Sequence, residues 1–220
     1  MIRFFNGLLL PMTDGTALCR DEVWVENGAI AYVGPRREDA PAFEREIDLK
    51  GDLLMPGFKN AHAHSAMTFV RSFADDVPLQ EWLFEKIFPL EARLTPEDVY
   101  PLTKLAILEY LAGGITAAFD MYFHRDAIAR ASIDCGFRTV LCGALSAGDD
   151  IQIAVHDCER FNALHPLISY IPGIHGEYTA DTKLLGEMGE FLHSVKKPFF
   201  AHNSETKKEV RECVERHGCT

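Results

Sequence analysis

Residues 56–67 read PGFKNAHAHSAM, with two histidines one residue apart, directly after the apolar run Leu53, Leu54, Met55 and a Pro-Gly pair. Side chains of a strand alternate faces, so His62 and His64 point the same way while Ala63 points opposite. Two imidazoles on one face, roughly 6.5 to 7 Å apart along a strand, can converge on one metal ion. Taken alone, the pair also fits ordinary polar residues at a strand end. The sequence on either side decides between the two.

Upstream, the first ~55 residues look like short strands joined by tight turns. EVWVENGAIAYVGP (22–35) alternates around Asn27-Gly28, the strongest short-range hairpin signal. Residues 1–55 are therefore expected to form a small β unit. Downstream, apolar runs of strand length alternate with helical stretches, as buried parallel strands with crossover helices do. The strand candidates are 57–64, 114–122, 136–145, 167–175 and 197–203. The helix expected over 96–112 opens with Thr95-Pro96-Glu97-Asp98, a cap, a proline at the first helical position and early acids, and ends at Gly113-Gly114. The last helix, within SETKKEVRECVERHG (204–218), spaces Val210, Cys213, Val214 and His217 on one face and stops at Gly218. Five βα units in constant order over 56–220 favour a parallel sheet. A (β/α)₈ barrel needs ~250 residues, so this chain reads either as the N-terminal portion of such a barrel or as an open sheet; the first is expected.

The C-terminal ends of parallel barrel strands are where chemistry gathers. Two later runs also finish in histidine, GIH at His175 and FFAH at His202, and Glu205 follows three residues after the second. Glu205 reads either as a catalytic acid or as a capping acid for the next helix. His124, after DMYF, faces the mouth or serves as a cap; His156, His165, His193 and His217 read as structural or solvated. Trp82, Phe84 and Phe88 are spaced as a helix face that packs in the core or lies over the mouth as a lid.

Composition excludes several functions. The 220 residues are 47% hydrophobic, ample for a core, with net charge −11 and no basic run, so no nucleic-acid partner is expected. No stretch approaches ~18 consecutive apolar residues, and no membrane partner is expected. The six scattered cysteines contain no CxxC pair and read as reduced thiols in a cytoplasmic protein.

The set MPGFKNAHAHSAMTFVRSFADDVPLQEWLFEKIFPLEARLT, GGITAAFDMYFH, GIHGEYT and AHNSETKKEV resembles the amidohydrolase superfamily, and within it the subgroup of S-adenosylhomocysteine/methylthioadenosine deaminases, guanine deaminases and triazine hydrolases. The resemblance implies an α/β (β/α)₈ TIM-type barrel with a small β-sandwich from both chain termini. It implies one divalent ion, zinc first and iron second, held by His62, His64 and His202. It further implies Glu205 as the acid/base carboxylate, His175 as a substrate-contacting histidine and Glu91, in FPLE, as the holder of ribose hydroxyls. The implied activity is hydrolytic deamination of a purine nucleoside or related N-heterocycle. The ion lowers the pKa of water from ~15.7 toward ~7, and Glu205 shuttles protons, work worth ~10²–10⁴-fold in general acid/base catalysis. Triazine dechlorination or cyclic amide hydrolysis is the alternative chemistry, and an inactive truncated partner the non-enzymatic one.

Departures from the pattern are specific. The family's strand-six histidine and strand-eight aspartate have no counterpart before Thr220, so a C-terminal segment or second chain is expected to complete the site, with a small-molecule substrate and a homo-oligomeric assembly. Gly143 stands where an arginine for a homocysteine tail is expected, His175-Gly176-Glu177-Tyr178 replaces a His-Ser-Pro-Tyr motif, and Ala66 replaces a proline. These changes argue for altered specificity.

Overall fold

The computed structural model describes residues 1–13, 15 and 17–219 of the 220. The chain divides into two compact units, Met1–Gly57 and Phe58–Thr220. The first holds β1 (Ile2–Phe5), β2 (Leu8–Leu9), β3 (Glu22–Glu26), β4 (Ala29–Gly34), β5 (Arg45–Asp48) and β6 (Leu53–Leu54). One sheet runs β4-β3-β1-β5, and β2 pairs with β6 in a separate parallel ladder. The Asn27-Gly28 turn joins antiparallel β3 and β4 with both residues at positive φ (51° and 76°), as the tight hairpin turn requires. Trp24 is buried in this unit, its indole donating to Glu22 at 3.1 Å, and the Arg3 guanidinium pairs with the same buried carboxylate.

The second unit alternates strands and helices. Its strands are β7 (Phe58–Ala63), β8 (Ile115–Met121), β9 (Arg138–Cys142), β10 (Ile168–Ile171), β11 (Gly173–Gly176) and β12 (Phe200–His202). Its helices are α1 (Leu79–Glu81), α2 (Phe88–Glu91), α3 (Pro96–Ala112), α4 (Arg125–Asp134), α5 (Gln152–Leu164), α6 (Thr182–Val195) and α7 (Lys207–His217). Strands β7, β8, β9 and β10 pair in parallel in sequence order. The fourth strand position is interrupted at Pro172, which has no N–H to give to a ladder. Its second half, β11, pairs in parallel with β12 and bridges to Leu145 beyond β9. Five consecutive βα units result, the arrangement of the first five units of a (β/α)₈ barrel.

Curvature is visible in the side chains. Laid flat, strand positions one and five would stand four steps of ~4.8 Å apart, roughly 19 Å, beyond the reach of two imidazoles. Yet His62 on β7 and His202 on β12 bring their Nε2 atoms to 3.2 Å, and Phe119 of β8 packs on Phe200 of β12 with ring centroids 4.3 Å apart. The sheet is curled with these residues on its concave side. On its other side, Val99, Ile128, Leu141, Phe161 and Tyr170 form a buried layer between sheet and helices.

The helix signals in the sequence have clear counterparts. Thr95 caps α3 by accepting from the Asp98 amide while the Asp98 carboxylate accepts from the Thr95 amide at 2.9 Å, a reciprocal capping box. Helix α7 ends at Gly218 in the left-handed conformation, φ 75°. Its supposed apolar face is less covered than the spacing suggests, since Val214 is 42% exposed and Glu209 is the buried residue of the helix. Among the described residues, no helix is long and apolar enough to cross a membrane.

Candidate metal centre and active site

The C-terminal ends of β7 and β12 gather three imidazoles. The Nε2 atoms of His62 and His64 are 3.2 Å apart, those of His62 and His202 also 3.2 Å, and ligand atoms of all three lie within 4.8 Å of one another. Zinc-to-imidazole bonds of ~2.0–2.1 Å at tetrahedral angles put neighbouring nitrogens about 3.3 Å apart, so the donor set fits a divalent ion.

The tautomers are set from behind. His64 Nδ1 lies 2.6 Å from the Met121 carbonyl, and His202 Nδ1 lies 2.8 Å from the His175 carbonyl. A carbonyl only accepts, so each Nδ1 carries the proton and each Nε2 presents a lone pair to the cluster. Burial pushes the His64 imidazole below its usual pKa, against the Met121 carbonyl that favours its charged form; burial, then the neighbouring His202, does the same for His62. Neutral imidazoles are what metal ligation requires.

His175, on β11, stands beside this cluster, its ring centroid 5.0 Å from that of His202. Burial first, then His202 and His64, push it down to about 4. His175 Nδ1 lies 3.1 Å from Thr179 Oγ1, which also stands 3.1 Å from the Gly176 carbonyl oxygen.

Glu205 follows β12, and its Oε2 accepts from Tyr178 Oη at 3.2 Å. It is not the cap of α7. That part belongs to Thr206, whose hydroxyl accepts from the Glu209 amide. The buried Glu209 carboxylate turns back to accept from the amides of Ser204 at 3.0 Å and Glu205 at 2.7 Å. Glu205 is therefore held by its backbone with one carboxylate oxygen unclaimed among the described residues.

A cavity of about 100 Å³ opens between these groups, lined by His64, His175, His202 and Glu205 at one end and by Trp82, Phe88 and Glu91 along the wall. The wall comes from the helical stretch 79–91, which loosens into a π-helical turn at Trp82–Ile87. Trp82 and Phe88 face the cavity, whereas Phe84 is 51% exposed, so this face is neither wholly core nor wholly lid. Glu91 is buried, and burial raises its carboxyl above the usual range, with the neighbouring Tyr122 hydroxyl acting the other way. No lysine or arginine lines the cavity among the described residues. Gly143 sits where a Cβ would approach Tyr170 Oη to 2.6 Å, so no arginine side chain stands there unless Tyr170 moves.

His124 lies outside this constellation. It occupies the N-cap position of α4 in the left-handed conformation and its Nε2 donates to the Leu94 carbonyl at 3.0 Å. Glu177, Cys213 and His217 also cluster within 4.8 Å. There Arg216 forks onto both Glu177 oxygens, at 3.1 and 2.5 Å, and the guanidinium already supplies the positive charge. Sequence reasoning passed over Asp120, Tyr122 and Glu209. The one available signal for Asp120 was a lone acid inside the apolar run AAFDMYF.

A model of the amidohydrolase family matches residues 53–220. A 5-methylthioadenosine/S-adenosylhomocysteine deaminase of Symbiobacterium thermophilum is 40% identical over 218 residues, covering 94% of this chain and 50% of that protein. A 5'-deoxyadenosine deaminase of Methanoregula boonei is 40% identical over 179 residues, covering 78% of this chain and 40% of that protein. Among solved structures, an adenosine deaminase from Xanthomonas campestris with bound zinc superposes with a TM-score of 0.89 at 29% identity, over 99% of this chain and 52% of that one. The chain spans about half the length of the curated relatives it matches. With the family model covering most of its length and the curled parallel sheet beneath it, the chain belongs to the amidohydrolase family.

Proposed function

We propose that the protein is a metal-dependent hydrolytic deaminase of an adenosine-like purine nucleoside, with His62, His64 and His202 as ligands of one divalent ion. The observation that carries this reading is the convergence of three imidazole nitrogens, two of them with the opposite ring nitrogen pinned to a backbone carbonyl. The ion, when bound, supplies Lewis acidity that brings the pKa of water from ~15.7 toward ~7.

The chain's own residues then have separable tasks. Glu205, steadied by Tyr178 and by the amides bound to Glu209, takes one proton from the attacking water and delivers it to the ring nitrogen beside the reacting carbon, then carries the second proton, from the hydroxyl now on that carbon, to the amine, which leaves as ammonia as the C–N bond breaks and the carbonyl forms. His175, beside the imidazole cluster and lining the cavity, is placed to contact the base. Glu91, buried in the wall, can accept from two ribose hydroxyls. The names of the curated relatives, deaminases of methylthioadenosine, S-adenosylhomocysteine and 5'-deoxyadenosine, favour this chemistry over triazine or cyclic amide hydrolysis. The apolar wall and Gly143 favour a nucleoside with a small uncharged 5' group over one carrying a homocysteine tail. Zinc as the ion, a cytoplasmic setting, a homo-oligomeric assembly and a further segment completing the ligand set belong to the same reading.

The test is ammonia release by the full-length protein from adenosine, methylthioadenosine, 5'-deoxyadenosine, S-adenosylhomocysteine, guanine and cytosine, with metal content determined on the same sample. Metal-loaded protein that releases no ammonia from any of them refutes the proposal.

A further inference from the structure

We propose that Asp120 is the positioning residue that holds the His62/His64 pair in ligand geometry, through its hydrogen bond to the backbone just after His64; this rests on the reading of His62, His64 and His202 as a metal site. The regular ladder does not do that work. Pairing between β7 and β8 loses register between Asn60 and Ala63, across the stretch that carries His62. His64 itself lies beyond the strand, with φ −127° and ψ 71°, at the start of a 3₁₀ turn.

Two consecutive residues of β8 take over. The Met121 carbonyl accepts from His64 Nδ1 at 2.6 Å, and Asp120 Oδ1 accepts from the Ser65 amide at 3.1 Å. His64 is gripped on its ring and on the peptide that follows it. The Ser65 hydroxyl meets Tyr110 Oη of α3 at 3.1 Å, which anchors the same turn to the helix layer.

Asp120 is an expensive residue to keep in that position. It is 1% exposed, and its Oδ2 has no hydrogen-bond partner among the described residues. A buried carboxylate oxygen left unpaired is strongly unfavourable, and an apolar side chain of similar size would pack there without that penalty. The grip on Ser65 is the one interaction at this site that an apolar replacement could not make.

The experiment is a metal-affinity measurement by chelator competition on the full-length protein, comparing wild type, D120N and D120A, with unfolding of each metal-free protein recorded alongside. Asparagine keeps an acceptor oxygen for the Ser65 amide, whereas alanine does not. The expected result is D120N within about threefold of wild type and D120A weaker by about 10–100-fold, the range for residues that orient metal ligands. D120A within threefold of wild type, or D120N as weak as D120A, overturns the proposal. Should D120A fail to fold, the Ser65 amide in wild type decides: slow hydrogen exchange supports the bond, and exchange as fast as an exposed turn overturns it. Wild type that binds no metal would instead sink the metal-site reading itself.

Discussion

Replacing Glu209 with alanine should release Glu205 without touching substrate, metal or the Glu205 side chain. Glu209 is 3% exposed and accepts from the amides of Ser204 and Glu205 at 3.0 and 2.7 Å. Hydrogen bonds to a charged group contribute about 1.5–3 kcal/mol each, so roughly 3–6 kcal/mol of local order is lost from the turn between β12 and α7. Ser204 adds to the effect because it holds a left-handed backbone at φ 55°, a conformation that costs a non-glycine residue about 1–2 kcal/mol and depends on such anchors. A misplacement of ~1 Å at a reacting group can cost 10²-fold, so E209A should lower kcat by about 10–100-fold. E209Q, which keeps one acceptor oxygen, should fall between E209A and wild type. Hydrogen exchange of the amides at 204–206 and steady-state ammonia release are the paired assays. Full kcat in E209A with accelerated exchange would show that the position of Glu205 does not matter, refuting its proton-transfer role. Unchanged exchange would refute the anchoring argument.

Removing one ligand with H202A should weaken metal binding by more than 100-fold, since ~10–16 kcal/mol of apparent affinity shared by four ligands is about 3 kcal/mol each; elemental analysis after dialysis against chelator checks this. Burial raises the Asp120 carboxyl from 3.8 to about 6. A raised folded pKa means stability present below the unfolded value and lost as pH rises through the folded one, so metal-free wild type should lose about 2 kcal/mol relative to D120N between pH 4 and pH 7. Urea unfolding of both proteins across that window reads the difference, and a pH-independent gap would contradict it. Truncating the fully buried Phe161 to alanine should destabilise the second unit by about 3–5 kcal/mol in thermal or denaturant unfolding. The G143A variant should lose about 1–3 kcal/mol in the same assay, because its new methyl group meets Tyr170 Oη.

The parts of this molecule legible in one dimension were those governed by local rules. Asn27-Gly28 demands positive φ at two positions, Thr95 with Asp98 satisfies the free amides of a helix start, and apolar runs between helices mark buried parallel strands; each has its counterpart in the structure. The HxH spacing marked both imidazoles at the end of the strand, but His64 lies just past β7 in a 3₁₀ turn, where contacts from β8 and not strand alternation hold it. Glu205 was less legible, since SETKKE offers two acids within reach of the helix start and spacing does not say which one caps. Tertiary packing buried Glu209 and gave it the amides, leaving Glu205 to Tyr178. His124 and His202 each follow an apolar strand, yet one donates to the Leu94 carbonyl and the other meets His62.

Residue types, their alternation and their caps were enough to determine that this chain alternates β and α and places imidazoles at strand ends, because those properties depend on neighbours a few positions away. Only the folded sheet decided that residues 62, 64 and 202 meet, that their outer ring nitrogens are tied to backbone carbonyls, and that Asp120 grips the turn beside them. Those contacts join positions separated by as many as 140 residues through the curl of the sheet, and that curl is a collective property of strand twist and packing that no local stretch of sequence carries.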